Sequence, residues 1–366
     1  MLKYTGSAHY RHRINAATLS SKKLRIDNIR ASNDDPNGFG LVSHEANYLK
    51  LIDVLSDGTV IEINETGTTL KYIPGIIVNG SNITFDCGTD DNARSIGWYI
   101  EGIIPLAIFG KQSLSITFHG ITNDAKDLSI DTLMSVTIPI LRNFGIEGAS
   151  IKIKRRGAAP NGGGIVELYL PIVRELRPID ITDTGLICRV RGLAFCARIS
   201  PTILSRVVDA TREVLNNLLP DVHIHTDHFK GADGGNSAGY SLSLVAESTT
   251  GALISIDRTA VTNKNGMGEL PEDVGREGSL LLLEEINRGG VVDSSHQCLM
   301  IQLMVMTPED VSKIRLGPLT TNAIKLLRII RDAFGITFKV REDKSNGTVL
   351  LSCLGSGSRN TSRKVT

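Results

Sequence analysis

Asn322-Ala323-Ile324-Lys325-Leu326-Leu327-Arg328-Ile329-Ile330-Arg331-Asp332-Ala333-Phe334, followed by Gly335 and then Ile336-Thr337-Phe338-Lys339-Val340-Arg341, is the stretch that decides the fold. At helical spacing Ile324, Leu327 and Phe334 fall near one face, while Lys325, Arg328, Arg331 and Asp332 fall toward another. Gly335 suits the left-handed turn that ends such a helix, and the alternation in Phe338-Lys339-Val340 suits a half-buried strand. The same order of helix, glycine turn and strand occurs twice earlier. One copy is Leu128 to Phe144, Gly145 and Ala149 to Lys154; the other is Tyr48 to Leu55, Asp57-Gly58 and Thr59 to Ile63. Phe144-Gly145-Ile146 and Phe334-Gly335-Ile336 share the junction itself. The chain is therefore built from repeated helix and strand layers, an α+β architecture.

Between about Thr184 and Ser279 the pattern changes. Val190 to Ile199 reads as strand, Pro201 to Leu219 as a helix with proline in its first turn, and Val222 to Thr226, Ser241 to Glu247 and Leu253 to Ile256 as three further strands. Gly231 to Gly239 and Thr262 to Gly268 read as mobile loops. Leu280 to Ile286, with the acidic start Pro271-Glu272-Asp273 ahead of it, reads as a buried helix.

The chain has 366 residues, 41% hydrophobic and 22% charged, with a formal net charge of +1, which fits a globular protein with more than one module. A balance so close to neutral leaves nucleic-acid contact to local basic patches. There is no apolar run of about 18 residues, so no membrane span is expected, and the first residues do not read as a secretory signal. The five cysteines (Cys87, Cys188, Cys196, Cys298 and Cys353) are widely spaced, form no Cys-x-x-Cys pair and sit in apolar settings, which predicts buried reduced thiols.

Five segments, in order, resemble the RNA 3′-terminal phosphate cyclase family, and most closely its cyclase-like, ribosome-biogenesis branch. They are Gly6 to Ile14 running into Ala17-Thr18-Leu19-Ser20; Thr66 to Gly75; Lys154-Arg155-Arg156-Gly157-Ala158-Ala159-Pro160-Asn161-Gly162-Gly163-Gly164; Arg315 to Ile324; and the tail Asn360-Thr361-Ser362-Arg363-Lys364. The resemblance implies three repeats of a two-helix, four-strand unit around a shared core (residues 1–183 and 280–366), a small inserted α/β domain (184–279) and a mobile basic tail (356–366). In the enzymes, a histidine in a pattern close to His-x-x-Thr-x-Ile attacks ATP and carries AMP; here Leu319 stands at that place. Leucine has no lone pair to attack phosphorus. The enzymes' Gly-Glu-Gly-Gly-Gly-Gln loop is replaced by Gly6-Ser7-Ala8-His9-Tyr10-Arg11, a following arginine by Ile14, and an Asp-Gln pair by His296-Gln297. Four losses in one site point to a pseudoenzyme.

Basic residues beside glycines are the next candidates. Lys152, Lys154, Arg155 and Arg156 lead into Gly162-Gly163-Gly164, where arginine can grip phosphate with two parallel hydrogen bonds and glycine lets it approach backbone N–H groups. Arg11, Arg13, Arg363 and Lys364 join them as candidate RNA or anion contacts; a solvated strand end with a flexible turn has the same composition. Lys325, Arg328 and Arg331 recur on adjacent turns, as a partner-binding stripe or a merely solvated face would. His9 and His12 are a possible acid and base for RNA cleavage, with loop packing as the plain alternative. His223-x-His225-x-Asp227-His228 has metal-like spacing but no fourth ligand in view, and reads as a polar strand edge. No resident metal and no cofactor are expected.

What the resemblance implies is a binding role: a non-cyclase RNA-processing factor, nucleolar by family, that engages a ribosome-assembly GTPase and small-subunit precursor rRNA in its processing particle. Two enzymatic readings stay open from sequence. One is a pre-rRNA endonuclease; the other is an active ATP-dependent cyclase whose histidine lies elsewhere, with His296 as the candidate.

Overall fold

The computed structural model describes residues 1–32, 38–90, 92–219, 221–261 and 268–360. Arg363 and Lys364, and most of the 262–268 loop, lie outside the described residues.

The repeats lie where the glycine junctions predict. The first runs β1 (Leu2–Thr5), α1 (Tyr10–Leu19), β2 (Leu24–Asp27), α2 (Ser43–Leu55), β3 (Ser56–Asp57), β4 (Val60–Ile63), β5 (Leu70–Ile73) and β6 (Ile76–Ile77), with β3 and β6 forming a separate two-stranded pair. The second runs β7 (Ile83–Asp86), α3 (Ile96–Ala107) and β8 (Leu114–Gly120). It continues through α4 (Ile130–Thr132), a π-helical turn at Leu133–Thr137 and α5 (Ile138–Asn143) to β9 (Ser150–Arg155) and β10 (Gly164–Leu170). The third opens with β11 (Asp180–Ile181), where the insert interrupts it: β12 (Ile187–Ala197), α6 (Thr202–Leu215), β13 (Val222–Phe229), β14 (Gly239–Ser248), β15 (Leu253–Thr259) and α7 (Pro271–Arg288). It resumes as α8 (Gln297–Val305), β16 (Val311–Leu316), α9 (Thr321–Phe334), β17 (Lys339–Asp343) and β18 (Thr348–Leu354).

The three repeat sheets, ordered β1-β2-β5-β4, β7-β8-β10-β9 and β11-β16-β18-β17, share one topology: the first two strands pair in parallel and the rest antiparallel. Parallel neighbours need a crossover, which α1, α3 and α8 supply. One continuous apolar core joins all three repeats, while the insert sheet, ordered β13-β12-β14-β15, has its own core against α6 and α7. The expected boundary at 279/280 falls inside α7. Leu282, Leu283 and Ile286 pack in the insert's core, so we place the end of the insert after Arg288.

α9 corrects one detail of the sequence reading. Its buried face is Ala323, Leu326, Ile329, Ile330 and Ala333, and Ile324 is 42% exposed. The helix starts where the Thr320 hydroxyl accepts the Ala323 amide at 3.1 Å and stops at Gly335, whose φ of 74° is costly for any residue with a Cβ. Of the five free cysteines, four are buried as predicted, but Cys188 is exposed near the start of β12. The Gly231 to Gly239 segment opens with a 3₁₀ turn, and Gly235 and Asn236 pack on residues 156–163, so it is a docked connection.

Candidate functional site

The N-terminal loop, the β8–α4 connection, β15 of the insert and the N-terminal ends of α8 and α9 converge on a cleft of about 740 Å³. Its cationic side chains are mostly held by carboxylates of the cleft itself. Arg11 bonds Glu101 at 2.5 Å and the Trp98 carbonyl, with its guanidinium 5.1 Å from the Trp98 ring centre. Arg94 forks onto Asp127, and Arg30 pairs with Glu45 at 2.7 Å. Asp124 lies among them, and burial followed by repulsion from Asp127 raises its pKa to about 6. Asp257 is half-buried in the cleft wall, and desolvation pushes its pKa up although Ser243, Ser129 and Thr132 all donate hydrogen bonds to it. Arg11, Arg30, Arg94 and Lys126 thus face Glu45, Glu101, Asp124, Asp127 and Asp257, which is not the uncompensated positive field a polyphosphate calls for.

The residues expected to carry covalent chemistry are displaced from it. Leu319 packs against the main core. The segment around it is fixed by Gln297, whose amide donates to the Pro318 carbonyl at 3.1 Å and accepts from the Thr320 amide at 2.9 Å. His296 is fully buried, with Nδ1 2.9 Å from Asp293 and Nε2 2.9 Å from the Thr137 hydroxyl in the π-helical turn. Burial alone would lower its pKa, but the Asp293 charge and hydrogen bond outweigh that and raise it. With both nitrogens engaged and no exposure, His296 is a structural member of a Ser255–Asp293–His296–Thr137 chain linking insert and body.

His9 and His12 both have their pKa lowered, His12 far enough to remove it as an acid. His9 begins α1 from a left-handed conformation (φ 56°) and lines the cleft, and burial, then Lys325 and Arg13, lower its pKa. His12 is driven down to about 3 by burial and by Arg11, so it is neutral at any physiological pH and cannot supply a proton.

The expected phosphate site is largely internal structure. Arg156 is 3% exposed, grips Asp131 through both terminal nitrogens at 2.5 and 2.7 Å, and lies 4.6 Å from the Phe195 ring and 5.5 Å from the Phe229 ring. It pins the insert to the second repeat. Arg11 is held as described, and Arg13 donates to the Gly6 and Thr5 carbonyls beneath Tyr4. All three guanidiniums are buried and bonded within the fold, although the Nε atoms of Arg13 and Arg156 have no hydrogen-bond partner, so the structure gives them an internal structural role. The glycines are packed too. A Cβ at Gly162 or Gly164 would lie 2.8 or 2.9 Å from Gly120 backbone, and one at Gly163 would strike Asn236, so the run exists to let segments approach. Lys154, on β9, remains exposed beside Glu167 at 3.3 Å, and the Arg155 side chain donates to the Gly163 carbonyl.

On α9, Lys325, Arg328 and Arg331 are all exposed; Arg331 lies 3.6 Å from Asp332. His223 and His225 lie exposed on β13, the edge strand of the insert, and His228 bonds the Ile199 carbonyl; among the described residues no three potential ligands converge. The sequence reading missed Arg94, Trp98, Glu101, Asp124 and Asp127. The spacing of Trp98 and Glu101, which places them on one face of α3, was the available signal.

Fold and site together define a three-repeat α+β body with an inserted domain, a charge-balanced cleft at their junction and Leu319 just ahead of α9. A family profile described as RNA 3′-terminal phosphate cyclase matches residues 2–340. The chain is 47% identical to a probable RNA 3′-terminal phosphate cyclase-like protein of Dictyostelium discoideum, over 100% of both chains. It is 44% identical to the RNA 3′-terminal phosphate cyclase-like protein of Homo sapiens, covering 100% of this chain and 98% of that one. It is 36% identical to the rRNA processing protein rcl1 of Schizosaccharomyces pombe, covering 99% and 98%. The chain belongs to the RNA 3′-terminal phosphate cyclase family.

Proposed function

We propose that this protein is a non-cyclase rRNA-processing factor that acts by binding. In this reading the repeat core is a rigid frame: the exposed α9 face (Lys325, Arg328, Arg331) takes an assembly GTPase, and Lys154, Arg155 and the basic tail contact small-subunit precursor rRNA in the nucleolus. The observation that carries it is the state of the covalent site. By the sequence resemblance Leu319 stands at the place of the enzymes' histidine, and His296, the substitute the sequence offered, is buried with both nitrogens engaged. The relatives named as cyclase-like, and the fission yeast relative named for rRNA processing, support the same reading.

The test is purification of the tagged chain from its own cells under gentle salt. Stoichiometric recovery of a GTPase and small-subunit precursor RNA, reduced at least tenfold by Arg328→Glu without loss of thermal stability, is the expected result. Recovery of the chain alone overturns the assembly role.

A further inference from the structure

The three repeat sheets share one topology, so residues at matching register positions can be compared within the molecule. One exposed cross-strand row reads Lys3–Arg25–Lys71–Glu62 in the first sheet, Thr84–Thr117–Glu167–Lys152 in the second and Asp180–Lys313–Ser352–Lys339 in the third. Only the first sheet sets three cations directly side by side. Like charges opposite one another on a sheet face are destabilising, so stability of the free protein does not explain the row. Asp27 holds Arg25 and Glu62 holds Lys71, both at 2.9 Å, which offsets part of the repulsion. Lys3, and Lys23 just ahead of β2, make no salt bridge among the described residues.

Beside this row lies an apolar strip. Val60, 44% exposed, is in register with half-buried Ile73, and the two line a shallow groove of about 90 Å³ together with Met1, three cations (Lys23, Arg25 and Lys71) and one carboxylate, Glu62, which is paired with Lys71. The opposite face of the sheet presents Leu24, Ile26, Leu70 and Tyr72 to the core, so the cations and the groove occupy the side turned to solvent.

We propose that this face docks an extended acidic segment of a partner protein, with carboxylates on Lys3, Lys23, Arg25 and Lys71 and an apolar side chain in the groove between Val60 and Ile73. The chemistry of the groove favours protein over RNA. A single-stranded nucleic acid seeks exposed aromatic faces on which to stack its bases, and the one aromatic ring in this groove, Tyr72, is 1% exposed. Aliphatic surface flanked by cations fits Leu or Ile flanked by Asp and Glu. The site shares no residue with the α9 stripe, and the proposal stands whether or not that stripe takes a GTPase.

The test uses the full chain and two fluorescent probes: a twelve-residue peptide alternating Glu and Leu, and an oligouridylate of the same charge, each titrated by anisotropy. The peptide is expected to bind the wild type more tightly than the oligouridylate. Lys3→Glu with Lys71→Glu is expected to weaken the peptide at least tenfold, and Val60→Asn, which leaves the charge intact, at least threefold. Unchanged peptide affinity in both variants overturns the proposal. So does tighter binding of the oligouridylate, weakened by the charge reversals but not by Val60→Asn, which would make the face a phosphate-binding surface. All three positions are exposed, and a thermal melt of each variant confirms that the fold is retained.

Discussion

Replacing Arg156 with alanine separates a structural reading from a surface reading in one experiment. Arg156 and Asp131 are 3% and 9% exposed at their side chains, so the substitution leaves a buried carboxylate without its partner. Removing one member of such a pair costs about 3–5 kcal/mol. The guanidinium also lies over two rings of the insert, and each desolvated cation–π contact adds about 1 kcal/mol. The expected loss is therefore roughly 5–7 kcal/mol, a large share of the stability of a typical domain. Urea denaturation followed by tryptophan fluorescence at Trp98 and by circular dichroism measures it. Because the contact joins insert and body, hydrogen exchange should rise first in β12 and β13. The double variant Arg156→Met, Asp131→Leu leaves no unpaired charge and should be less destabilised than the sum of the singles. The reasoning is refuted if Arg156→Ala costs less than about 1 kcal/mol while abolishing RNA binding, which is how a phosphate-gripping surface arginine behaves.

Other consequences follow from the same geometry. The His296–Asp293 pair gives stability a two-sided pH dependence. Burial would depress the His296 pKa, yet Asp293 raises it, so its contribution is full below the unfolded value of about 6.5 and fades as pH rises through the folded one. Burial would raise the Asp293 pKa, yet His296 lowers it, so its contribution is present above about 3.9 and fades as pH falls through the folded value. Denaturation midpoints across this range should form a plateau in mildly acidic solution, and His296→Gln should remove the alkaline decline; an unchanged alkaline limb would contradict the pairing. Thr320→Ala removes the α9 N-cap and should cost about 1 kcal/mol, read as a lower melting temperature with Arg328-dependent binding retained.

Much of the architecture was legible because its punctuation is local. Phe144-Gly145-Ile146 and Phe334-Gly335-Ile336 mark helix ends at glycines with positive φ, and each lies where a helix gives way to a strand. The buried side of α9 was harder to place. Ala323 and Ala333 are core residues too small to stand out beside Ile324 and Leu327, and the reading turned toward the larger side chains. Arg156 was misjudged for a different reason. Its partner Asp131 and the rings of Phe195 and Phe229 come from other elements, so adjacent Lys154 and Arg155 made it look like part of a surface cluster. The carboxylates of the cleft were missed likewise, since Glu101 meets Arg11 across the first two repeats and Asp127 meets Arg94 across the second, so neither pair is local in sequence.

The central claim is that this family member performs no covalent nucleotide chemistry. Intact-protein mass spectrometry after incubation with ATP and a divalent cation tests it most directly, with Leu319→His measured alongside. The account predicts an unmodified mass for the wild type. It predicts the same for Leu319→His, because Arg11, Arg30 and Arg94 stay engaged by the cleft's carboxylates and the restored histidine meets no phosphate-binding field. An adenylate adduct on the wild-type chain that disappears in His296→Ala would contradict it and return the protein to the enzymes of its family.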